Sequence, residues 1–252
     1  MAFLLIAGLM LLALLAGRSV IAQDWRTASS APAGLAPDAA VTPEAVVQVY
    51  GARTWGWRGN FGVHTWVAVK PANAPTYTVY EVIGWRLRYA DNVVAIHQRT
   101  ADARWYGNAP ELYSDKRGPE AEKLIPRIDA AARSYPHAKE YSAWPGPNSN
   151  TFVAWITRAV PELGADLPPT AIGKDYISNG LFGSAPSGSG VQFSIGGLFA
   201  LTASGVEGLE VNLLGLTFGI NPFDPALKLP LLGRLGPARA LLPESASALP
   251  RQ

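Results

Sequence analysis

Because the chain of 252 residues contains no cysteine, any nucleophilic or acid–base chemistry must use hydroxyl groups, carboxylates and three histidines. His97 and His137 stand in polar, loop-like contexts, which indicates ordinary surface residues. His64 differs because it lies in a β-rich run close to Val63 and Trp66, where an imidazole should be partly buried and its hydrogen bonds specified. This context by itself favours a structural histidine.

A candidate nucleophile, Ser149, begins a predicted helix in the run Asn148-Ser149-Asn150-Thr151-Phe152. A hydroxyl at a helix N-terminus gains from the positive end of the helix dipole and from backbone N–H groups that can stabilise an oxyanion. His64 on a facing sheet would act as its base. The alternative is that Asn148, Ser149 and Thr151 only cap the helix after a Pro-Gly-Pro turn.

Glu81 is the candidate for orienting the His64 ring, because a lone carboxylate among Tyr80, Val82 and Ile83 needs a partner if it is buried. Its alternative position is the solvent-facing side of the strand. No metal site and no cofactor is predicted. The candidate substrate-binding residues belong to the same motifs and are Trp66, Trp144, Asn148, Asn150 and Thr151.

The elements that would position these residues are strands followed by helices, which indicates an α+β fold with a small antiparallel sheet packed on helices. β-rich runs over 46–50, 62–70 and 77–85 predict an antiparallel meander. Apolar residues recur at helical spacing over 119–135, and a second helix should extend from Asn148 to Val160. These elements form a predicted domain over residues 46–180.

The last third of the chain is rich in glycine and poor in charge. Residues 181–236 are predicted to form a Gly-rich hinge and an apolar β-hairpin, whose strands are Val191–Ile195 and Glu210–Phe218. Alternation places Val191, Phe193 and Ile195 on one face, so one face should pack on the domain while an apolar strip stays exposed. Residues 237–252 are predicted to be a disordered tail.

The N-terminus carries an uncharged apolar run over residues 2–16, followed by Arg18. The run is short for a spanning helix of about 20 residues, and Val20-Ile21-Ala22 offers a cleavage site, although a basic region before the run is missing. Residues 1–22 are therefore predicted to be a signal peptide or an apolar membrane-anchor helix, and 23–45 a linker. A net charge of +2 without basic clusters argues against nucleic acid as a partner.

A strand with His64 precedes the predicted helix that begins at Asn148. This order resembles the circularly permuted papain-like group, which includes the NlpC/P60-related and lecithin-retinol-acyltransferase-like enzymes. Their helix opens with Asn-Cys-x-x-Phe, so Ser149 stands where the family carries its nucleophilic cysteine. Three stretches, His64-Thr65-Trp66, residues 144–152 and residues 168–176, also resemble a bacterial envelope family, domain of unknown function 3750. That second resemblance extends over nearly the whole chain.

Three hypotheses of different class follow. In the first hypothesis, the protein is an envelope amidase, peptidase or acyltransferase that uses Ser149 and His64. This hypothesis requires the two side chains to lie together. Alternatively, it is a catalytically inactive papain-like module that binds peptidoglycan or lipid in an open groove. In the third hypothesis it is a structural, membrane-associated envelope protein with an exposed apolar hairpin and no groove.

The apolar run predicts a cell-envelope location, either anchored in the inner membrane or periplasmic. Full-length protein expressed in a Gram-negative cell should fractionate with the membrane or the periplasm, because an uncharged segment of this length is exported or inserted. Cell fractionation followed by immunoblotting measures this. A soluble cytoplasmic pool of the full-length chain would contradict the expectation.

Overall fold

The computed structural model describes residues 26–237. The predicted export or anchor segment over 2–16, its cleavage site at Ala22 and the predicted tail beyond Pro237 lie outside the described residues. Within residues 26–237, no helix combines the length and the hydropathy that crossing a membrane requires.

The described part of the chain is a mixed α+β structure with two helices and two antiparallel sheets. The first sheet has five strands in the order β4-β3-β2-β1-β5. The three predicted strands are confirmed as β1, β2 and β3, and two more polar strands, β4 and β5, extend the sheet on either side. The bounds are β1 Val46–Arg53, β2 Val63–Lys70, β3 Thr78–Val82, β4 Val94–Gln98 and β5 Glu111–Arg117.

Both predicted helices are confirmed, as α1 Gly118–Arg133 and α2 Ser149–Ala159. They pack on one face of the first sheet, where alternate residues of β1 and β2 meet apolar side chains such as Ile128 and Phe152. This packing forms the main hydrophobic core. Three short 3₁₀ turns, at Gly56–Asn60, Gly84–Arg88 and Pro161–Leu163, complete the regular structure of this part.

The opposite face of the first sheet is also buried, around Tyr50 and Trp66. Residues 26–45, predicted to be a linker, help to cover it. The backbone N–H groups of Leu35 and Ala36 donate to Asp102 Oδ2 at 2.6 and 3.2 Å. Because both faces are covered, every residue of β1 and β2 except Arg53 is buried.

The predicted C-terminal hairpin is wrong, because residues 182–235 form a sheet of seven strands in which each strand pairs with the next. A turn at Leu214 and Gly215, both with positive φ, splits the predicted strand over 210–218, and Asn212 Oδ1 accepts the Gly215 N–H at 2.8 Å. The bounds are β6 Phe182–Ser184, β7 Gly190–Ile195, β8 Phe199–Ser204, β9 Gly208–Leu213, β10 Leu216–Asn221, β11 Ala226–Leu229 and β12 Gly233–Leu235.

The second sheet packs on the rest of the protein through its polar face. Buried Glu210 accepts hydrogen bonds from the ammonium groups of Lys174 and Lys228, the latter at 2.8 Å. Lys228 also donates to Asp166 at 2.6 Å, and Lys174 lies 3.4 Å from Asp175. We refer to these five side chains as the buried ion cluster.

The buried ion cluster joins the second sheet to the loop that follows α2. Burial lowers the pKa of Lys174, but the negative charges of Asp175 and Glu210 outweigh it and raise that pKa above its usual range. Burial raises the pKa of Glu210, which Lys174 and Lys228 oppose. Each buried charge therefore depends on its partners, and removing one leaves a remaining buried charge with fewer partners or none.

We expect Lys174→Ala to lower the free energy of unfolding by about 3–5 kcal/mol, because it leaves buried Asp175 without its ion-pair partner and Glu210 with Lys228 alone. Urea denaturation followed by circular dichroism measures the change. The matched control is Lys123→Ala, whose exposed ion pair with Glu120 should contribute less than about 1 kcal/mol. Equal stability of the two variants would contradict a structural role for the cluster.

Candidate active site around His64

His64 on β2 and Glu81 on the neighbouring strand β3 form a buried pair. The distance between His64 Nε2 and Glu81 Oε2 is 2.8 Å. The solvent-facing alternative for Glu81 is wrong, because its side chain is only 1% exposed. One face of the His64 ring stacks on Trp105, with ring centroids 3.8 Å apart. The imidazole is thus held in both position and orientation.

Two more side chains converge on Glu81. His97 Nε2 lies 2.7 Å from Glu81 Oε1, and the Arg99 guanidinium donates to both carboxylate oxygens at 3.1 and 3.3 Å. His97 is therefore not the isolated surface residue that its sequence context indicated. The sequence did contain a signal, because His97 and Arg99 are two residues apart and so belong to the same face of β4 and its continuation. The pairing of β3 with β4 was needed to place them beside Glu81.

The charge states follow from this geometry. Burial alone would raise the pKa of Glu81, but the hydrogen bonds from His64 and His97 and the charge of Arg99 hold it well below its usual range. Burial lowers the pKa of His64 and outweighs the opposing effect of Glu81. An ionised carboxylate has no proton to donate, so neutral His64 donates its Nε2–H, and Nδ1 carries the lone pair.

Ser149 occupies the first position of α2, and Asn148 is its N-cap. The Asn148 side chain accepts hydrogen bonds from the backbone N–H groups of Asn150 and Thr151 at 2.9 and 3.2 Å, and the Thr151 hydroxyl accepts from the Asn148 backbone at 3.2 Å. This capping box satisfies the free N–H groups of the first turn. The capping interpretation thus describes Asn148 and Thr151 well.

The same polar side chains fasten the loop that follows the helix. Asn148 and Asn150 donate to the Ile172 carbonyl at 3.0 and 2.8 Å, and Thr151 donates to the Gly173 carbonyl at 2.9 Å. Gly173 has φ +97°, and a Cβ there would meet the Asn148 amide at 2.6 Å. The three candidate substrate-binding residues at the start of α2 therefore use their polar groups inside the protein.

Ser149 and His64 line one cavity of about 410 Å³ at the start of β2, but no hydrogen bond joins them. The position of Thr65 explains why they do not meet. Its hydroxyl donates to the Ser149 carbonyl oxygen at 3.2 Å, so Thr65 lies on the face of β2 that packs on α2. Alternation then directs His64 and Trp66 to the opposite face. Among residues 26–237, neither the Ser149 hydroxyl nor His64 Nδ1 has a hydrogen-bond partner.

Aromatic rings form much of the cavity wall. The predicted residue Trp144 contributes to it and is half exposed, whereas the predicted residue Trp66 is fully buried and donates its Nε1–H to the Ala101 carbonyl at 2.7 Å. Trp66 is therefore a core residue. The aromatic residues that line the cavity are Trp57, Phe61, Trp85, Trp105, Tyr141 and Trp144.

Residues 44–176, which contain this site, match the model of the family described as Protein of unknown function (DUF3750). The protein belongs to this family. The match includes the first sheet and both helices but ends before the second sheet, so it is narrower than the nearly full-length resemblance predicted from the sequence. No curated protein and no solved structure matches the chain. The resemblance to papain-like enzymes stays a prediction.

We expect His64 to titrate below the usual histidine value of about 6.5, because its buried ring resists protonation. Glu81→Gln should lower this pKa further, since the carboxylate is the group that raises it. The unfolded chain then binds a proton that folded His64 does not, so His64 makes the free energy of unfolding fall as the pH decreases below about 6.5.

NMR titration of the imidazole ring protons measures this pKa, and a His64→Asn variant assigns the signal. A pKa at or above 6.5 for His64 would contradict the burial argument.

Proposed function

We propose that the protein binds a peptidoglycan fragment, through its sugar rings, in the aromatic cavity beside His64. The observation that carries the proposal is the composition of the cavity wall, in which four tryptophans surround a small number of polar groups. These tryptophans are Trp57, Trp85, Trp105 and Trp144. Indole rings present broad apolar faces that suit the C–H face of a sugar ring. A pocket with mainly aromatic walls and few polar groups is typical of a small-molecule site.

The polar groups of the cavity suit this ligand. His64 Nδ1 can accept a hydrogen bond from a sugar hydroxyl or an N-acetyl N–H group, and the Ser149 hydroxyl can donate or accept one. Because Glu81 and Trp105 hold the His64 ring, little side-chain freedom is lost when a ligand binds. The proposal includes an envelope location, which the apolar run over residues 2–16 supports.

We expect Trp57→Ala to weaken the binding of a disaccharide-peptide fragment of peptidoglycan by about tenfold, because the side chain is an exposed wall of the cavity. Isothermal titration calorimetry on the full chain measures the dissociation constant. The matched control is Tyr89→Ala, which removes an aromatic ring of similar exposure, 71% against 67%, outside the cavity wall. Equal affinities of the two variants would place the ligand elsewhere.

A second candidate function is acyl transfer or hydrolysis by Ser149, with His64 as the base and Glu81 as its positioning partner. The observation that favours it is that two groups with the required chemistry, an uncommitted hydroxyl and an uncommitted Nδ1, line the same cavity. The Ser149 hydroxyl also lies at the N-terminus of α2, where backbone N–H groups can stabilise negative charge. Hydrogen bonds between nucleophile and base are often formed only in the substrate complex.

A serine-reactive fluorophosphonate distinguishes the two functions. If the second candidate holds, wild-type protein is labelled, and Ser149→Ala and His64→Asn both lose the label, because each removes one member of a pair that acts as a unit. Exposed Ser30→Ala serves as the control and should keep the label. Labelling that persists in Ser149→Ala would exclude Ser149 as the nucleophile.

A further inference from the structure

The second sheet carries a continuous apolar surface on the side that faces away from the first sheet. Adjacent strands place apolar side chains side by side, since Val191 pairs with Ala203, which lies beside Leu209 on the next strand. The row continues through Ile220 to Leu227. We call this surface the outer face. Its residues are Phe182, Val191, Phe193, Ile195, Phe199, Leu201, Leu209, Val211, Leu213, Leu216, Phe218, Ile220, Leu227 and Leu235.

The intervening residues of the same strands point inward and are polar. Gln192, Thr202 and Glu210 occupy one inward row, which continues to Lys228. All four are buried, whereas Val191 and Leu209 on the outer face are 70% and 54% exposed. The sheet is thus inverted relative to the usual arrangement of an antiparallel sheet, in which the apolar face is buried and the polar face meets water.

The outer face is large. Six strand spacings of about 4.8 Å make the sheet roughly 29 Å wide, so the apolar area amounts to several hundred Å². A groove of about 870 Å³ lies on it. Soluble monomers rarely expose continuous apolar patches of this size, which mark a contact with a protein or a membrane.

The charge distribution favours lipid over a protein partner. Between Tyr176 and Phe223 the chain has only two charged residues, Glu207 and Glu210, and both are buried. The exposed surface of this stretch therefore carries no charge. Protein interfaces normally have a polar rim around an apolar centre, whereas here apolar side chains such as Leu214 and Phe223 are exposed even at the turns.

The position of the apolar run in the chain agrees with a lipid contact. Residues 2–16 contain no charge and are predicted to be an export or anchor segment. Nine residues lie between Ala16 and Arg26, the first described residue, and the ten residue steps from one to the other extend over at most about 35 Å. An anchor at residues 2–16 would hold the described domain within that distance of a bilayer.

We infer that the outer face docks on a lipid bilayer and contacts its hydrocarbon region. Docking would remove from water the apolar area that the inverted sheet exposes. It requires no exposed charge to enter the lipid, because the inward row keeps Glu210 and Lys228 paired inside the protein. This contact is separate from the His64 cavity, and it holds whether that cavity binds a sugar or catalyses acyl transfer.

The absence of cysteine permits a test on the full chain. Single variants Val191→Cys and Leu209→Cys on the outer face, and Lys123→Cys on α1 as the matched control, each carry one environment-sensitive fluorophore. All three positions are exposed, so neither the substitution nor the label disturbs a core. The proteins are reconstituted with vesicles of phosphatidylethanolamine and phosphatidylglycerol that contain doxyl-labelled lipid, which quenches only fluorophores in contact with the acyl chains.

The expected result is quenching and a shift of emission to shorter wavelength at positions 191 and 209, with neither effect at position 123. Vesicle-bound protein whose labels at 191 and 209 stay unquenched would overturn the inference, because attachment would then be through another part of the chain. Equal quenching at all three positions would also overturn it. A shift at 191 and 209 that arises without vesicles and grows with protein concentration would assign the outer face to a second copy of the chain.

Discussion

The arrangement of the two sheets depends on the buried ion cluster. Asp166, Lys174 and Asp175 belong to the loop after α2, while Glu210 and Lys228 belong to the second sheet. Because buried charges are tolerated only when they are paired, the sheet cannot turn over or move away without leaving charges on both sides unpaired. The polar face of the sheet is therefore held inward, and its apolar face must point outward as a consequence.

The loop that supplies these charges also positions the candidate site. Asn148, Asn150 and Thr151 at the start of α2 hold the carbonyl groups of Ile172 and Gly173, and the next two residues enter the ion cluster. Ser149 therefore sits between the first sheet and a loop that is fixed from the other side by the second sheet. A family match that ends at residue 176 includes this loop but not the strands that it binds.

A second contact connects the cavity to the outer face. Trp144, which lines the cavity, donates its Nε1–H to the Leu214 carbonyl at 2.9 Å, and Leu214 occupies the turn between β9 and β10 at the end of the outer face. The cavity wall and the proposed lipid-contacting surface are therefore neighbours.

The sequence by itself determined what depends on local periodicity and local chemistry. β-rich runs predicted β1 to β3, the Asn-Ser-Asn-Thr opening predicted the start of α2, and alternation over 191–195 predicted the two faces of β7. These signals are local because backbone hydrogen bonds, caps and side-chain direction are decided within a few residues. The division of 210–218 into two strands was missed because its turn uses leucine and glycine, and leucine is not a typical turn residue.

Only the tertiary structure decided which residues meet. Glu81 is bound by His64 from one neighbouring strand and by His97 from the other, and no spacing within β3 specifies those partners. Likewise, His64 and Ser149 line one cavity without a hydrogen bond between them, because the packing of Thr65 against α2 turns His64 to the other face of β2. Alternation in the second sheet specified two faces but not which one is buried. The charges of Asp166 and Lys174, which lie outside the sheet, decide which face is buried. They pair with Lys228 and Glu210 on the polar face of the sheet, because buried ions require partners.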